Sequence, residues 1–148
     1  MHRRMTGAGA LMAAAMILVA SDARAELFSK AYTFKPGTTL EMNSEVPGGL
    51  RLDSVEFVLP SGDGKQTGSF SGPKVKVSIS NLGTSAAKVG VSIAVTDADG
   101  RLVGVASGGT KLFPLRADRQ IVYTLAVDGV RTELAAGTVF RISIEPMP

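Results

Sequence analysis

Apolar and polar residues alternate along most of the chain after residue 50. In residues 74–80 (KVKVSIS) the odd positions are apolar and the even ones polar, and the same alternation recurs in 89–95, 121–127 and 140–144. A period of two places successive side chains on opposite faces of a strand, one facing a core and the other facing water. The pattern therefore predicts antiparallel strands, and after residue 25 no segment shows a convincing helical period.

Shorter apolar runs predict further strands at 31–35, 38–42, 50–59, 101–106 and 110–113. Within 50–59 the apolar phase slips by one residue, from Leu50 and Leu52 to Val55 and Phe57. One extra residue in a strand produces such a slip, so we expect a β-bulge near Asp53 and Ser54.

Residues that favour turns separate these runs. Glycine, asparagine, aspartate and proline cluster at 47–49, 61–64, 81–83, 97–100, 108–109 and 128–129. About seven or eight short strands joined by such turns predict an all-β fold, a single antiparallel two-sheet sandwich of the immunoglobulin-like kind. No repeat or second domain is evident, so one domain is expected over residues 26–148.

Residues 1–25 have the three regions of a secretory signal peptide. A basic start with Arg3 and Arg4 precedes the apolar run 11–20, and Ala23 and Ala25 provide the small residues expected before a cleavage site. The run is shorter than the roughly 20 residues of a membrane-spanning helix. We therefore expect a periplasmic or secreted protein whose mature form has no stable membrane span. A retained anchor is the alternative, and general or twin-arginine export are both open.

The formal charge of +3 belongs mostly to that leading segment, which contains three arginines and one aspartate. The remainder is close to neutral and has no basic run interleaved with aromatic residues. A nucleic-acid partner is therefore not expected, because its electrostatic attraction would be missing. The chain has no cysteine, so the expected stability comes from the apolar core without disulfides.

The residues needed for common catalytic and metal sites are scarce. The single histidine, His2, lies in the segment expected to be cleaved, and cysteine is absent. Nucleophilic triads require these residues, as do tetrahedral zinc and blue-copper sites. We therefore predict no enzyme activity, cofactor or metal, while an enzyme that uses carboxylates alone stays an alternative. Asp97 and Asp99 could share a cation, but a hairpin turn at 97–100 is favoured, because Arg101 stands where a third calcium ligand is needed.

Aromatic residues divide into core and surface candidates. Phe57, Tyr123 and Phe140 fall in phase with the apolar faces and are expected in the core. Phe70 lies inside the Gly- and Ser-rich segment 60–72, where an exposed aromatic would serve as a partner contact. Docking of Phe70 back onto the domain is the alternative.

Two stretches carry a family resemblance. In 75–81 (VKVSISN) an alternating strand ends in asparagine, and in 91–103 (VSIAVTDADGRLV) a strand meets an Asp-x-Asp-Gly turn before the next strand begins. Residues 74–144 thus resemble the immunoglobulin-like modules of bacterial envelope proteins, of the fibronectin type III or FxLYD kind.

Such modules mostly bind, space or scaffold, so the resemblance implies a non-enzymatic module that binds another envelope or secreted protein. Contact is expected through an exposed strand edge or through the segment 60–72. A soluble carrier or sensor of a small ligand is the alternative function.

Overall fold

The computed structural model describes residues 27–33, 37–58, 73–130, 134 and 137–147. Predictions that concern Ala23, Ala25, Phe70 and the segment 60–72 lie outside these residues. The described residues form eight strands, and none of them belongs to a helix long and apolar enough to cross a membrane. The strands are β1 (Phe28–Thr33), β2 (Thr39–Val46), β3 (Leu50–Val58), β4 (Lys74–Asn81), β5 (Lys88–Thr96), β6 (Leu102–Gly109), β7 (Arg119–Ala126) and β8 (Val139–Met147).

The strands form two four-stranded sheets in which all neighbours are antiparallel. One sheet has the order β1-β8-β5-β6 and the other β2-β3-β4-β7. The chain changes sheet after β1, β4, β6 and β7, so the two sheets are tied together at several points. This arrangement confirms the predicted all-β, two-sheet sandwich.

A single apolar core lies between the two sheets, because each strand turns its apolar face inward. Phe57 of β3 and Phe140 of β8 meet across the core with ring centroids 4.9 Å apart. Tyr32 of β1 stacks on Phe140 at 5.5 Å. Phe57, Tyr123 and Phe140 are all buried, which confirms their predicted core positions.

The bulge predicted near Asp53 and Ser54 is present. Leu52 pairs with Ile79 and Ser54 with Ser78, so Asp53 is the extra residue on β3. The neighbouring strand β2 is irregular at the same level, between Glu41 and Ser44.

Two predictions about the segment after residue 106 are wrong. Residues 108–109 belong to β6 instead of forming a turn, and residues 110–113 do not form a strand. Both differences arise because residues 109–115 are held by pairing with the start of β5 and with Ala87, which precedes it. Thr110 donates to Val89 O and Leu115 then pairs with Ala87, so residues 111–114 loop out between two fixed points.

Candidate functional site

The four edge strands are the places where this sandwich could pair with another protein, and they differ in how they are protected. On β1 the exposed Lys30 follows the same alternation as Phe28 and Tyr32, which pack against the core. Its ammonium lies 5.6 Å from the centroid of the Tyr32 ring. A charge on the inward side of a short edge strand opposes the addition of a further strand.

Edge strands β2 and β6 are protected in other ways. β2 contains the irregularity beside Met42, where Asn43 has a positive φ of 43°, and it exposes Glu41 and Glu45. β6 is paired on its outer side, because Val105 and Asp128 exchange two backbone hydrogen bonds of 2.9 and 2.7 Å. Bulges, charges and covering segments are the usual means of blocking an edge.

Among the described residues β7 has one of these protections, the exposed charge of Arg119 at its first position. It pairs with β4 on one side and ends the strand order on the other. From Gln120 to Val127 (QIVYTLAV) the sequence has no charge, no proline and no glycine, and the register with β4 is unbroken. A long, regular and uncharged edge is a template for strand addition.

The backbone groups that β7 offers can be identified from its ladder. Val127 donates to Pro73 O at 2.9 Å, and bonded pairs alternate along an antiparallel ladder. The odd-numbered residues of β7 therefore bond to β4. The even-numbered ones direct their N–H and C=O groups to the open side, and they are Gln120, Val122, Thr124 and Ala126. This row is about 20 Å long at roughly 3.4 Å per residue.

A partly buried polar cluster around Asp53 contacts the start of β7. The Asp53 carboxylate accepts hydrogen bonds from Arg51 Nε at 2.6 Å, Ser80 Oγ at 2.7 Å and Gln120 Nε2 at 3.0 Å. Burial alone would raise the pKa of Asp53, but these hydrogen bonds and the Arg51 charge together lower it. The hydrogen bonds to Ser80 on β4 and Gln120 on β7 link these two strands to Asp53 on β3.

The Asp97 turn forms as predicted. Asp97 Oδ1 accepts the N–H groups of Asp99 at 3.0 Å and Arg101 at 2.8 Å, and Gly100 has the positive φ that such a turn needs. The Asp99 Oδ2 atom lies 3.9 Å from Arg101 Nη1. The part of the chain that the structure describes contains no group of three or more histidine, cysteine or acidic residues that could hold a metal ion.

A surface hollow of about 670 Å³ lies between β1 and β2 and is lined by residues that include Tyr32, Leu40 and Met42. The hydroxyl groups of Tyr32 and Tyr123 are buried and have no hydrogen-bond partner among the described residues. Burial raises the pKa of Tyr123. The lining of the hollow is mixed, because Lys30, Glu41, Ser44 and three threonines line it together with the apolar residues and Tyr32.

Comparisons with protein-family models, curated proteins and solved structures found no match. The candidate site is therefore identified from the strand edges and exposed residues of the molecule. The sequence predicts a contact through an exposed strand edge or through the segment 60–72. Of the four edge strands, β7 combines an uncharged row with an outer side that is unpaired within the described part of the chain, while Phe70 lies outside the described residues. Sequence reasoning did not single out Gln120 or Val122, whose edge position depends on the strand order.

Proposed function

We propose that this domain is a non-enzymatic, exported module, periplasmic or secreted, that binds another envelope protein by accepting a strand onto β7. The observation that carries the proposal is the open outer side of β7, uncharged from Gln120 to Val127 and unpaired within the described part of the chain. An extended segment of the partner would extend the sheet β2-β3-β4-β7 by one strand.

The affinity of such a contact would come mainly from the backbone. Four residues present outward N–H and C=O groups, and each hydrogen bond formed contributes about 0.5–1.5 kcal/mol net. Specificity would come from side chains that the partner covers on either face of the strand. Val122, 54% exposed in the middle of β7, is the large apolar residue available there.

The resemblance of residues 74–144 to immunoglobulin-like envelope modules supports the same proposal, since those modules mostly bind or scaffold. The signal-peptide pattern in residues 1–25 supports export. Both point to a partner in the envelope or outside the cell.

The partner can be sought by photocrosslinking in cells. A photoreactive amino acid at position 122 should capture one dominant protein, which mass spectrometry identifies. The same group at Glu41 on the protected edge β2 is the matched control and should capture little of that protein.

Two substitutions then separate backbone pairing from side-chain contact. Val122→Pro removes an outward N–H that β4 does not use, a change that edge strands tolerate. It leaves a carbonyl of the partner strand without its hydrogen bond, which costs about 1–3 kcal/mol, so it should weaken binding of the captured partner at least about fivefold. Val122→Thr keeps the N–H and should bind within about twofold of the wild type. Circular dichroism and unfolding curves check that both variants fold.

Unchanged affinity of Val122→Pro would contradict strand addition at β7. Phe70→Ala provides the competing readout, because it should weaken binding only if the segment 60–72 forms part of the contact. Weakening by Phe70→Ala alone would move the contact to that segment.

The hollow between β1 and β2 favours a second candidate function, a carrier or sensor of a small ligand. The lining combines polar and apolar groups and includes Tyr32, whose hydroxyl has no partner among the described residues. Such a lining suits a compact ligand that has both an apolar part and a hydrogen-bond acceptor. A metabolite screen by thermal shift tests this function, and a ligand whose stabilising effect is lost in Tyr32→Phe would support it.

A further inference from the structure

Exposed apolar side chains gather at one end of the sandwich. At this end β4, β6 and β8 finish while β3, β5 and β7 begin, as the register of their pairs requires. Five of the eight large apolar residues that are exposed lie there among the described residues, and they are Leu27, Leu82, Leu112, Phe113 and Met147. We call this end the apolar end.

Leu112 and Phe113 are the most exposed of these residues, at 87% and 83%. Their loop is anchored on both sides. Thr110 donates to Val89 O at 2.9 Å, and Leu115 exchanges two bonds of 2.9 and 2.8 Å with Ala87. Because the chain is fixed at 110 and at 115, the two apolar side chains are held out in water instead of folding onto the core.

The side chain of Asn81 strengthens the second anchor. Its Nδ2 atom donates to Leu115 O at 2.9 Å and to Ser85 O at 2.8 Å, and Asn81 itself is fully buried. The loop of residues 110–116 and the loop after β4 are thereby joined into one rigid end. Leu115 is buried beside this amide, in contrast to its exposed neighbours.

Positive charges flank the exposed pair. Lys111 precedes it, Arg116 follows it, and no acidic residue occurs from 110 to 117 (TKLFPLRA). Both cationic residues are exposed. Asp118, Glu45 and Glu145 are exposed acidic residues at the same end, but they lie outside this loop.

We propose that the apolar end docks on an anionic lipid surface. Leu112 and Phe113 would enter the boundary between headgroups and acyl chains, while Lys111 and Arg116 would contact lipid phosphates. Apolar residues between cations are the arrangement that binds such interfaces, since both apolar burial and electrostatic attraction contribute.

A lipid surface fits these residues better than a protein pocket does. The exposed side chains come from the start of β1, the loop after β4, the loop after β6 and the end of β8. Leu82 borders a hollow with Asn81 and Arg119, whereas Leu112 and Phe113 stand out on their own loop, 87% and 83% exposed. A lipid interface can deform, so it can accommodate all of these exposed side chains at once. The open edge of β7 is a different surface, so either proposal can fail without the other.

Vesicle sedimentation tests this docking. The protein is purified from cells, and its N-terminus is determined by mass spectrometry. It is mixed with vesicles of phosphatidylcholine alone or of phosphatidylcholine with phosphatidylglycerol. The wild type should partition onto the anionic vesicles and much less onto the neutral ones, and added salt should weaken the binding.

Three variants assign the binding to the loop. Leu112→Ser with Phe113→Ser should lower the partition coefficient at least about tenfold. Lys111→Ser with Arg116→Ser should remove most of the preference for anionic vesicles. Leu102→Ser is the matched control, because Leu102 is 63% exposed at the opposite end of the sandwich and should leave partitioning unchanged.

Absence of wild-type binding to anionic vesicles would overturn the proposal. So would a Leu112→Ser, Phe113→Ser variant that partitions like the wild type, since the binding would then come from another segment. A loop that crosslinks to a second copy or to a protein without binding vesicles would likewise overturn it.

Discussion

At the scale of the single residue, Asp53 shows how a local irregularity fixes a distant strand. It is the extra residue of the β3 bulge, and its buried carboxylate bonds to Ser80 on β4 and Gln120 on β7. The bulge allows Asp53 to break the alternation of β3, since both Leu52 and Asp53 are buried. The register of β7 therefore depends in part on one charged group.

Asp53 makes stability depend on pH in a definite direction. Its pKa is lower in the folded protein than the ordinary value of 3.8. The ionised carboxylate therefore stabilises the fold above that value, and the contribution is lost as the pH falls through the folded pKa. Asp53→Asn should lower the free energy of unfolding at pH 7 by about 1–3 kcal/mol. Below about pH 4, further acidification should lower the free energy of unfolding of this variant less than that of the wild type.

Urea unfolding at pH 7 and at several values between about pH 4 and pH 2 measures both effects. Asp99→Asn is the matched control, because its carboxylate is exposed and lies 3.9 Å from Arg101. An Asp53→Asn variant as stable as the wild type at pH 7 would show that the cluster contributes nothing to the fold.

The sequence could predict the bulge but not the cluster that the bulge creates. The slip of apolar phase between Leu52 and Val55 is a local signal and placed the extra residue correctly. Gln120 lies 67 residues from Asp53 in the chain. Their contact requires β7 to lie beside β4, and that pairing depends on the packing of the whole sandwich.

At the scale of the strand, alternation tells which face is buried but not which strands are neighbours. Residues 121–126 lie in β7, as the alternation predicts, because their odd positions are apolar and face the core. The strand predicted at 110–113 is absent, because Leu112 and Phe113 are apolar without facing the core. Backbone anchors at Thr110 and Leu115 determine that loop, and apolar patterning does not reveal such anchors.

The open side of β7 predicts an alternating pattern of amide hydrogen exchange. The amides of Ile121, Tyr123 and Leu125 bond to β4, whereas those of Val122 and Thr124 face the open side. The odd-numbered amides should therefore exchange at least about tenfold more slowly than the even-numbered ones. Residue-resolved NMR exchange measures this ratio without any partner.

β3 provides the internal control for that measurement. It lies between β2 and β4, so successive amides along its regular part, Val55–Phe57, should all be protected. Equal protection of odd and even amides on β7 would mean that another segment covers its outer side, and strand addition there would lose its structural basis.

At the scale of the whole molecule, the two sheets share one core and cannot be treated as separate units. The chain passes from one sheet to the other after β1, β4, β6 and β7. Phe140 lies at the junction, because its ring contacts Tyr32 within its own sheet and Phe57 of the opposite sheet. Loss of packing at this position should therefore weaken both sheets together.

Phe140→Leu tests this coupling. The smaller side chain leaves unfilled space beside Phe57 and Tyr32, so it should lower the free energy of unfolding by roughly 1–3 kcal/mol. Because the sheets share the core, unfolding should remain a single transition with coincident curves by far-ultraviolet circular dichroism and tyrosine fluorescence. Leu102→Thr changes an exposed residue and should leave the midpoint of the unfolding transition unchanged. Two separate transitions in Phe140→Leu would show that the sheets are stable independently, and the aromatic contact would then not couple them.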